Sequence, residues 1–334
     1  MKGIFATGKN KLDILDLPEP ELKPYEALVQ VEACAICNST DWKLIEGEFF
    51  SGTFPVLLGH ESVGRVIRQG DKVRSYHAGD LVLRSTLRDE HIPFRGGRSC
   101  WGGFVQKAIV VDVWAEKGTQ YNAFPHPQQI VPPGIQPELA TALITLKETL
   151  SCLENTDVRH GQSLAIIGTG PVAQALTRFA KLIGIAPVVV FGRRSILADN
   201  FARLGADAYV ASDETPSDVK STIKRGGFDR VIEAVGSKDA LSLSLKVVAS
   251  HGMVNLYGIA PESEPYLPAD ESDGRVFRSK VAEAEAHEKL LEWIAEGKIQ
   301  LADWISHTLA WTDYRHGFEM VKNKTANKVV LAFQ

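Results

Sequence analysis

Two short segments carry the residues best suited to chemistry: ICNSTDW at 36–42 and GHES at 59–62. Cys37 offers a thiolate, and 23 residues later His60 and Glu61 offer an imidazole and a carboxylate. Sulfur, nitrogen and oxygen in that combination form a zinc-binding set, and a catalytic zinc keeps one position open for water or substrate. Other readings remain on residue type alone. A buried cysteine is often a small apolar filler, a role that suits Cys34. Cys34-x-x-Cys37 also has redox-dithiol spacing, but such a pair usually opens a helix in a βαβ unit, and this one sits among strand-like runs.

A second chemical signal lies in SLAIIGTGPVAQALTRFAKLIG. An apolar strand ends at Ile167, Gly168-Thr169-Gly170-Pro171-Val172-Ala173 follows, and a helix opens at once. Gly168 permits the tight turn, Gly170 lets a pyrophosphate approach the backbone, and Ala173 is small enough for helix–strand packing. The helix start presents free N–H groups and positive partial charge to phosphate. The next strand, VVVF, ends in Gly192-Arg193-Arg194 rather than in the acid that would hold a ribose 2′-hydroxyl. Two guanidiniums there suit a 2′-phosphate, so NADP(H) is the expected dinucleotide. The alternative is a pair of solvated surface arginines.

These groups need elements to hold them. The first third reads as short strands: LDILDL, ALVQVEAC, GRVIRQ and DLVLRS are apolar runs cut by Pro, Gly and Asp. Proline-rich LPEPELKPYE and AFPHPQQIVPPGIQPE oppose helix and central strand alike, and the second closes the β-rich region. Beyond it, ELATALITLKETLSCLEN has helical apolar spacing. Continuous apolar strands then alternate with amphipathic helices: SLAII, VVVF, DRVIEAVG, the helical ALSLSLKVVAS, and MVNLYGI. That pattern indicates a parallel sheet covered on both faces. The expected fold class is α/β, with a β-rich domain joined to a doubly wound one.

Bulk properties exclude several classes. The chain has 334 residues, beyond one ordinary core, so two domains are expected. Net charge is −4 with basic residues dispersed, which gives nucleic-acid binding no electrostatic support. No apolar run reaches the ~20 residues of a membrane span. The opening stretch meets charge and proline too soon for a signal peptide, and four cysteines make no disulfide framework, so a cytoplasmic setting is expected.

Taken in order, EACAICNSTDWKLIEG, GHESVGRV, VRSYHAGDLV, GGFVQKAIVV, HGQSLAIIGTGPVA and GFEMVKNKTANKVVLAF resemble the zinc-type medium-chain dehydrogenase/reductases, the superfamily of alcohol and polyol dehydrogenases. The resemblance spans almost the whole chain. It implies a GroES-like catalytic domain over 1–150, completed by 297–334, and a Rossmann NADP-binding domain over 151–296. It implies one catalytic zinc on Cys37 and His60, with Glu61 as a direct ligand or a close neighbour. Ser39 matches the hydroxyl that starts proton relay from the substrate alcohol. Gly236, in EAVG, and Ile259, in Tyr257-Gly258-Ile259, match the part of the sheet that cradles nicotinamide. Small-molecule alcohols and ketones are the implied substrates, and homodimers or homotetramers the implied assemblies.

Three departures qualify the match. Leu143, Ile144 or Thr145 stands where many members carry a further ligand, leaving Glu61, Glu148 or water to complete the set. Trp42 replaces a relay histidine, so protons need another route. LRSTLRDEHIPFRGGRSCW, with Cys100 alone, replaces the four-cysteine lobe, so no structural zinc is expected. Its Arg88, Asp89, Glu90, His91, Arg95 and Arg98 could meet a hydroxyl-rich or anionic substrate, or form an ordinary charged loop. The implied activity is NADP(H)-linked interconversion of a secondary alcohol, of polyol, sugar or cyclitol type, with its ketone. A zinc-free NADPH reductase of enones or quinones, and a non-catalytic NADPH-binding protein, are the competing readings.

Overall fold

The computed structural model describes residues 1–49, 52–118, 128–211 and 226–333. Residues 123–127 of the second proline-rich connector lie outside that set. The chain divides into two units, 1–147 with 282–334, and 148–281. Segment 282–296, assigned from sequence to the nucleotide domain, therefore belongs with the first unit. Glu283 shows why: its carboxylate pairs with the buried Arg84 guanidinium at 2.6 Å. The helical stretch read from 138 onward is broken at Thr141, whose hydroxyl bonds back to Glu138 O at 2.7 Å. The main helix runs Ala142–Asn155.

The first unit contains β1 (Lys2–Gly8), β2 (Lys11–Asp16), β3 (Glu26–Ala35), β4 (Val56–Leu57), β5 (Glu61–Gln69), β6 (Leu81–Leu83), β7 (Arg98–Ser99) and β8 (Lys107–Val111). The second contributes β9 (Leu164–Ile167), β10 (Val188–Gly192), β11 (Ala208–Ala211), β12 (Phe228–Glu233), β13 (Val248–Leu256) and β14 (Val276–Phe277). Back in the first unit come β15 (His307–Ala310) and β16 (Val329–Ala332).

In the first unit, β2-β1-β4-β7 form one sheet, and β15-β16-β3-β5-β6 form another, with β8 also on β3. Buried Phe5, Ile36, Leu57, Phe104, Phe318 and Leu331 belong to one apolar core. Long β3 is the organiser. It pairs antiparallel with β5, Ala35 opposite Glu61, and with β16, Val330 opposite Ala35.

The second unit has strand order β11-β10-β9-β12-β13-β14, all parallel. This is the doubly wound order with its reversal between β9 and β12, where such sheets bind ligands beyond their carboxyl ends. Leu164, Ala165, Ile166 and Ile167 are all buried, as a central parallel strand requires. β13 begins at Val248, so Val248, Ala249 and Ser250 leave the helix expected for them and join the sheet. Two domains, one GroES-like and β-rich and one Rossmann-like, make up this α/β fold.

Candidate functional site

In the first unit, the register of β3 against its neighbours assembles the site. Because Ala35 faces Glu61, the chain leaving β3 runs beside the chain entering β5. Cys37 lies two residues past Ala35, and His60 one residue before Glu61. Gly59 makes that entry possible. Its φ is +98°, and a Cβ there would stand 2.4 Å from the Phe104 backbone nitrogen. On the other side of β3, Ile36 N donates to Val329 O at 2.9 Å, which brings Lys328 alongside.

Ligand atoms of Cys37, His60 and Glu61 lie within 4.8 Å of one another. This is the one such group of three or more His, Cys, Asp or Glu residues among the described residues. His60 and Glu61 are buried and Cys37 is partly buried. His60 Nε2 faces Glu61 Oε1 at 3.7 Å, and Nδ1 faces Asp41 Oδ1 at 3.6 Å. Asp41 is fully buried, and its Oδ2 accepts the Cys37 backbone N–H at 2.8 Å. Its Oδ1 has no hydrogen-bond partner among the described residues. A metal-bound imidazole commonly turns its second nitrogen toward a carboxylate in this way. The donor set and its backing therefore fit a zinc ion held by Cys37, His60 and Glu61.

The electrostatics agree with a thiolate site. Burial opposes ionisation of Cys37, yet the His60 ring beside it draws the thiol below its ordinary range. Burial likewise opposes a charged His60, but the Cys37 thiolate and Asp41 raise it well above its ordinary value. Burial disfavours the Glu61 anion too, and Lys328 and His60 overcome it, so Glu61 stays ionised. Lys328 Nζ sits 2.5 Å from Glu61 Oε2 and donates to Thr145 Oγ1 at 3.0 Å. Lys328 thus occupies one Glu61 oxygen and leaves Oε1 on the His60 side.

Among the other expected residues, Ser39 is exposed, and its Oγ accepts from Lys43 Nζ at 2.9 Å. Trp42 packs edge-on against Phe318 at 6.1 Å, with Lys322 Nζ 4.3 Å from its ring centre. Glu148 falls in the other unit. Of the three residues at the missing-ligand position, Thr145 is tied to Glu61 through Lys328. In the loop that replaces the cysteine lobe, Asp89 accepts from Ser99 N at 2.7 Å and pairs with Arg98 at 3.3 Å, while Glu90 pairs with Lys23. These contacts brace the loop internally and against Lys23. Its end carries half-exposed Trp101, at φ +64° with its ring centre 5.2 Å from that of His60.

Asp41, Lys328 and Trp101 are thus site residues that the sequence reading did not single out as such, and Thr145 was named there only as one of three candidates for the missing-ligand position. Asp41 had a local signal, an acid four residues after a candidate thiolate. Lys328 had none, since only strand pairing brings it there.

In the second unit, β9 ends at Ile167 and Gly168 takes φ +131°. Gly170 caps the helix Pro171–Leu182, with Pro171 at its first position. A Cβ built on Gly170 meets no atom within 4 Å, so the backbone there is open to a close ligand. Val172 is partly buried in the first turn, and Ala173 is buried. Gly192 ends β10, where a Cβ would clash with the Tyr209 hydroxyl at 2.2 Å. Arg193 and Arg194 are exposed, with no carboxylate on their guanidiniums among the described residues. Gly236, at φ +82°, packs against the backbone of Ile259, whose side chain is 49% exposed.

The alcohol dehydrogenase GroES-like domain family matches residues 23–119, and the zinc-binding dehydrogenase family matches 171–296. A probable zinc-binding alcohol dehydrogenase of Mycobacterium tuberculosis is 30% identical over 78% of this chain and 68% of its own. The chain belongs to the zinc-type medium-chain dehydrogenase/reductase superfamily. As such it is an oxidoreductase of the zinc-type alcohol dehydrogenase family. A sorbitol dehydrogenase of Bombyx mori is 24% identical, covering 98% of this chain and 97% of that one, and L-threonine 3-dehydrogenases stand among further relatives. The solved alcohol dehydrogenase of Thermus sp. ATN1 superposes with a TM-score of 0.79 at 25% identity, over 99% of each chain.

Proposed function

We propose that this dehydrogenase interconverts a secondary alcohol of polyol, sugar or cyclitol type with its ketone, using NADP(H). The convergence of Cys37, His60 and Glu61 within 4.8 Å carries the reading. Zinc held there would supply Lewis acidity to the alcohol oxygen, and the nicotinamide would carry the hydride. The chain's own residues do the rest. Asp41 fixes the His60 ring and the Cys37 backbone. Lys328 and Thr145 hold Glu61 in place as an anion. The Ser39 hydroxyl takes the alcohol proton and passes it outward to solvent beside Lys43.

For the cofactor, the Gly168–Val172 turn receives the pyrophosphate, and Arg193 and Arg194 receive the 2′-phosphate. Gly236 and Ile259 border the nicotinamide. An acidic residue in the metal set and the sorbitol dehydrogenase relative support a polyol-type substrate. We include in the proposal a homodimer or homotetramer in the cytoplasm.

The test is a panel of alcohols and ketones assayed with NADP⁺ and NAD⁺ side by side, on protein of measured zinc content. Turnover of secondary polyols that scales with zinc and prefers NADP⁺ is the expected result. Zinc-independent reduction of enones, or tight NADPH binding with no turnover, would overturn it.

A further inference from the structure

Glu233, the last residue of β12, is fully buried and holds two turns together. Its Oε1 accepts the backbone N–H groups of Val235 and Gly236, each at 2.8 Å. Its backbone carbonyl accepts those of Tyr257 and Gly258, at 3.0 and 2.9 Å. Its Oε2 lies 2.7 Å from the Tyr266 hydroxyl. The turns interlock so closely that a Cβ on Gly258 would stand 2.2 Å from Gly236 N and 2.5 Å from Glu233 Oε2.

The hydrogens in this cluster can be counted. Tyr266 Oη is also 2.8 Å from Gly258 O, so one hydroxyl proton faces two acceptors. If Glu233 were ionised, Tyr266 would donate to it, and the tyrosine oxygen would meet the Gly258 carbonyl with no hydrogen between them. If Glu233 carries a proton, the chain closes: Glu233 O–H donates to Tyr266, and Tyr266 O–H donates to Gly258 O. Both N–H donors on Oε1 remain satisfied. Arg278 is a charged group facing the cluster, and it also hydrogen-bonds the Tyr266 hydroxyl. It lies over the Tyr266 ring at 5.4 Å, donates to Gly258 O at 3.2 Å and pairs with Glu271 at 3.3 Å.

We propose that Glu233 is a neutral, proton-donating carboxylic acid that positions the two turns bearing Val235 and Ile259, and through them the nicotinamide end of the cofactor. Burial, the largest influence on this carboxyl, pushes it above its ordinary range despite the opposing Tyr266 hydroxyl, the two N–H groups and Arg278. Val235 and Ile259 are 43% and 49% exposed, apolar edges at the carboxyl end of the sheet. The cofactor half of the proposal rests on the functional reading above; the proton does not.

Two measurements test it on the full chain. Infrared difference spectra of wild type against Glu233→Gln should show a protonated-carboxyl C=O band that persists through neutral pH and is lost in the variant. Fluorescence titration with NADPH should give Glu233→Gln an affinity within about fivefold of wild type. Tyr266→Phe should weaken NADPH several-fold, and Glu233→Ala by about tenfold or more, the scale of one lost buried hydrogen bond. No such band, or Glu233→Gln binding as poorly as Glu233→Ala, would overturn the proposal. If Glu233→Ala does not fold, the band and Tyr266→Phe still decide, since NADPH binding unchanged in Tyr266→Phe would also overturn it. Wild-type protein that bound no nicotinamide cofactor would sink the functional reading and the cofactor half together, while the band would still report the proton.

Discussion

Ala35 and Glu61 face one another across the antiparallel pair β3–β5, and that register decides which side chains meet at the candidate metal site. Slipping it by one residue would turn Glu61 to the opposite face. The first consequence concerns the ligands. Cys37→Ala should abolish stoichiometric zinc and activity together, as read by metal analysis and turnover. Asp41→Asn should keep the fold and cost about 10–100-fold in zinc affinity, the usual weight of a residue that orients a ligand. Loss of activity in Cys37→Ala with zinc retained would contradict the ligand role.

Lys328 stabilises through Glu61. Both are buried, and removing one partner of such a pair leaves an uncompensated charge that costs about 3–5 kcal/mol. Lys328→Met should therefore lower the unfolding free energy of chelator-treated protein by roughly that much. Adding Glu61→Gln should restore most of it, giving strongly non-additive effects in denaturant titrations.

Arg193 and Arg194 should govern cofactor choice. Replacing both with Ala should raise KM for NADP⁺ by about 10–100-fold, the weight of one or two charge-assisted hydrogen bonds. KM for NAD⁺ and kcat should stay near their wild-type values. An equal loss with both cofactors would assign the arginines a merely structural part.

His287 gives the stability a pH dependence of definite sign. Burial, with the buried Lys147 ammonium nearby, pushes its imidazole down to about 4 from 6.5. Above 6.5 it is neutral in both folded and unfolded chains and contributes nothing. As pH falls from 6.5 toward 4, the unfolded chain takes up the proton first, so stability is lost across that window. Between pH 6.5 and 5 the loss from this group is about 2 kcal/mol. Urea unfolding at those two pH values should show it in wild type and show it diminished in His287→Gln.

Local chemistry was legible in the sequence and strand register was not. Gly168, Gly170 and Pro171 declared themselves because a turn, a cap and a helix start are written in adjacent residues. Cys37, His60 and Glu61 were legible through the order of motifs around them. Lys328 stayed hidden because its meeting with Glu61 depends on β16 lying against β3, a pairing that residue spacing does not encode. The same holds for Arg84 and Glu283, whose ion pair carries 282–296 into the first unit. Asp41 was in plain view in ICNSTDW, but its two roles depend on where His60 arrives.

Glu61 and Lys328 are 267 positions apart, and this separation has a meaning in time. At about 5–20 residues per second, a ribosome needs roughly tens of seconds to travel from one codon to the other. Throughout that interval the nascent acid has no ammonium to face. The dry setting it later occupies cannot form around it without penalty until Lys328 has been made, so the final seat of Glu61 is taken late.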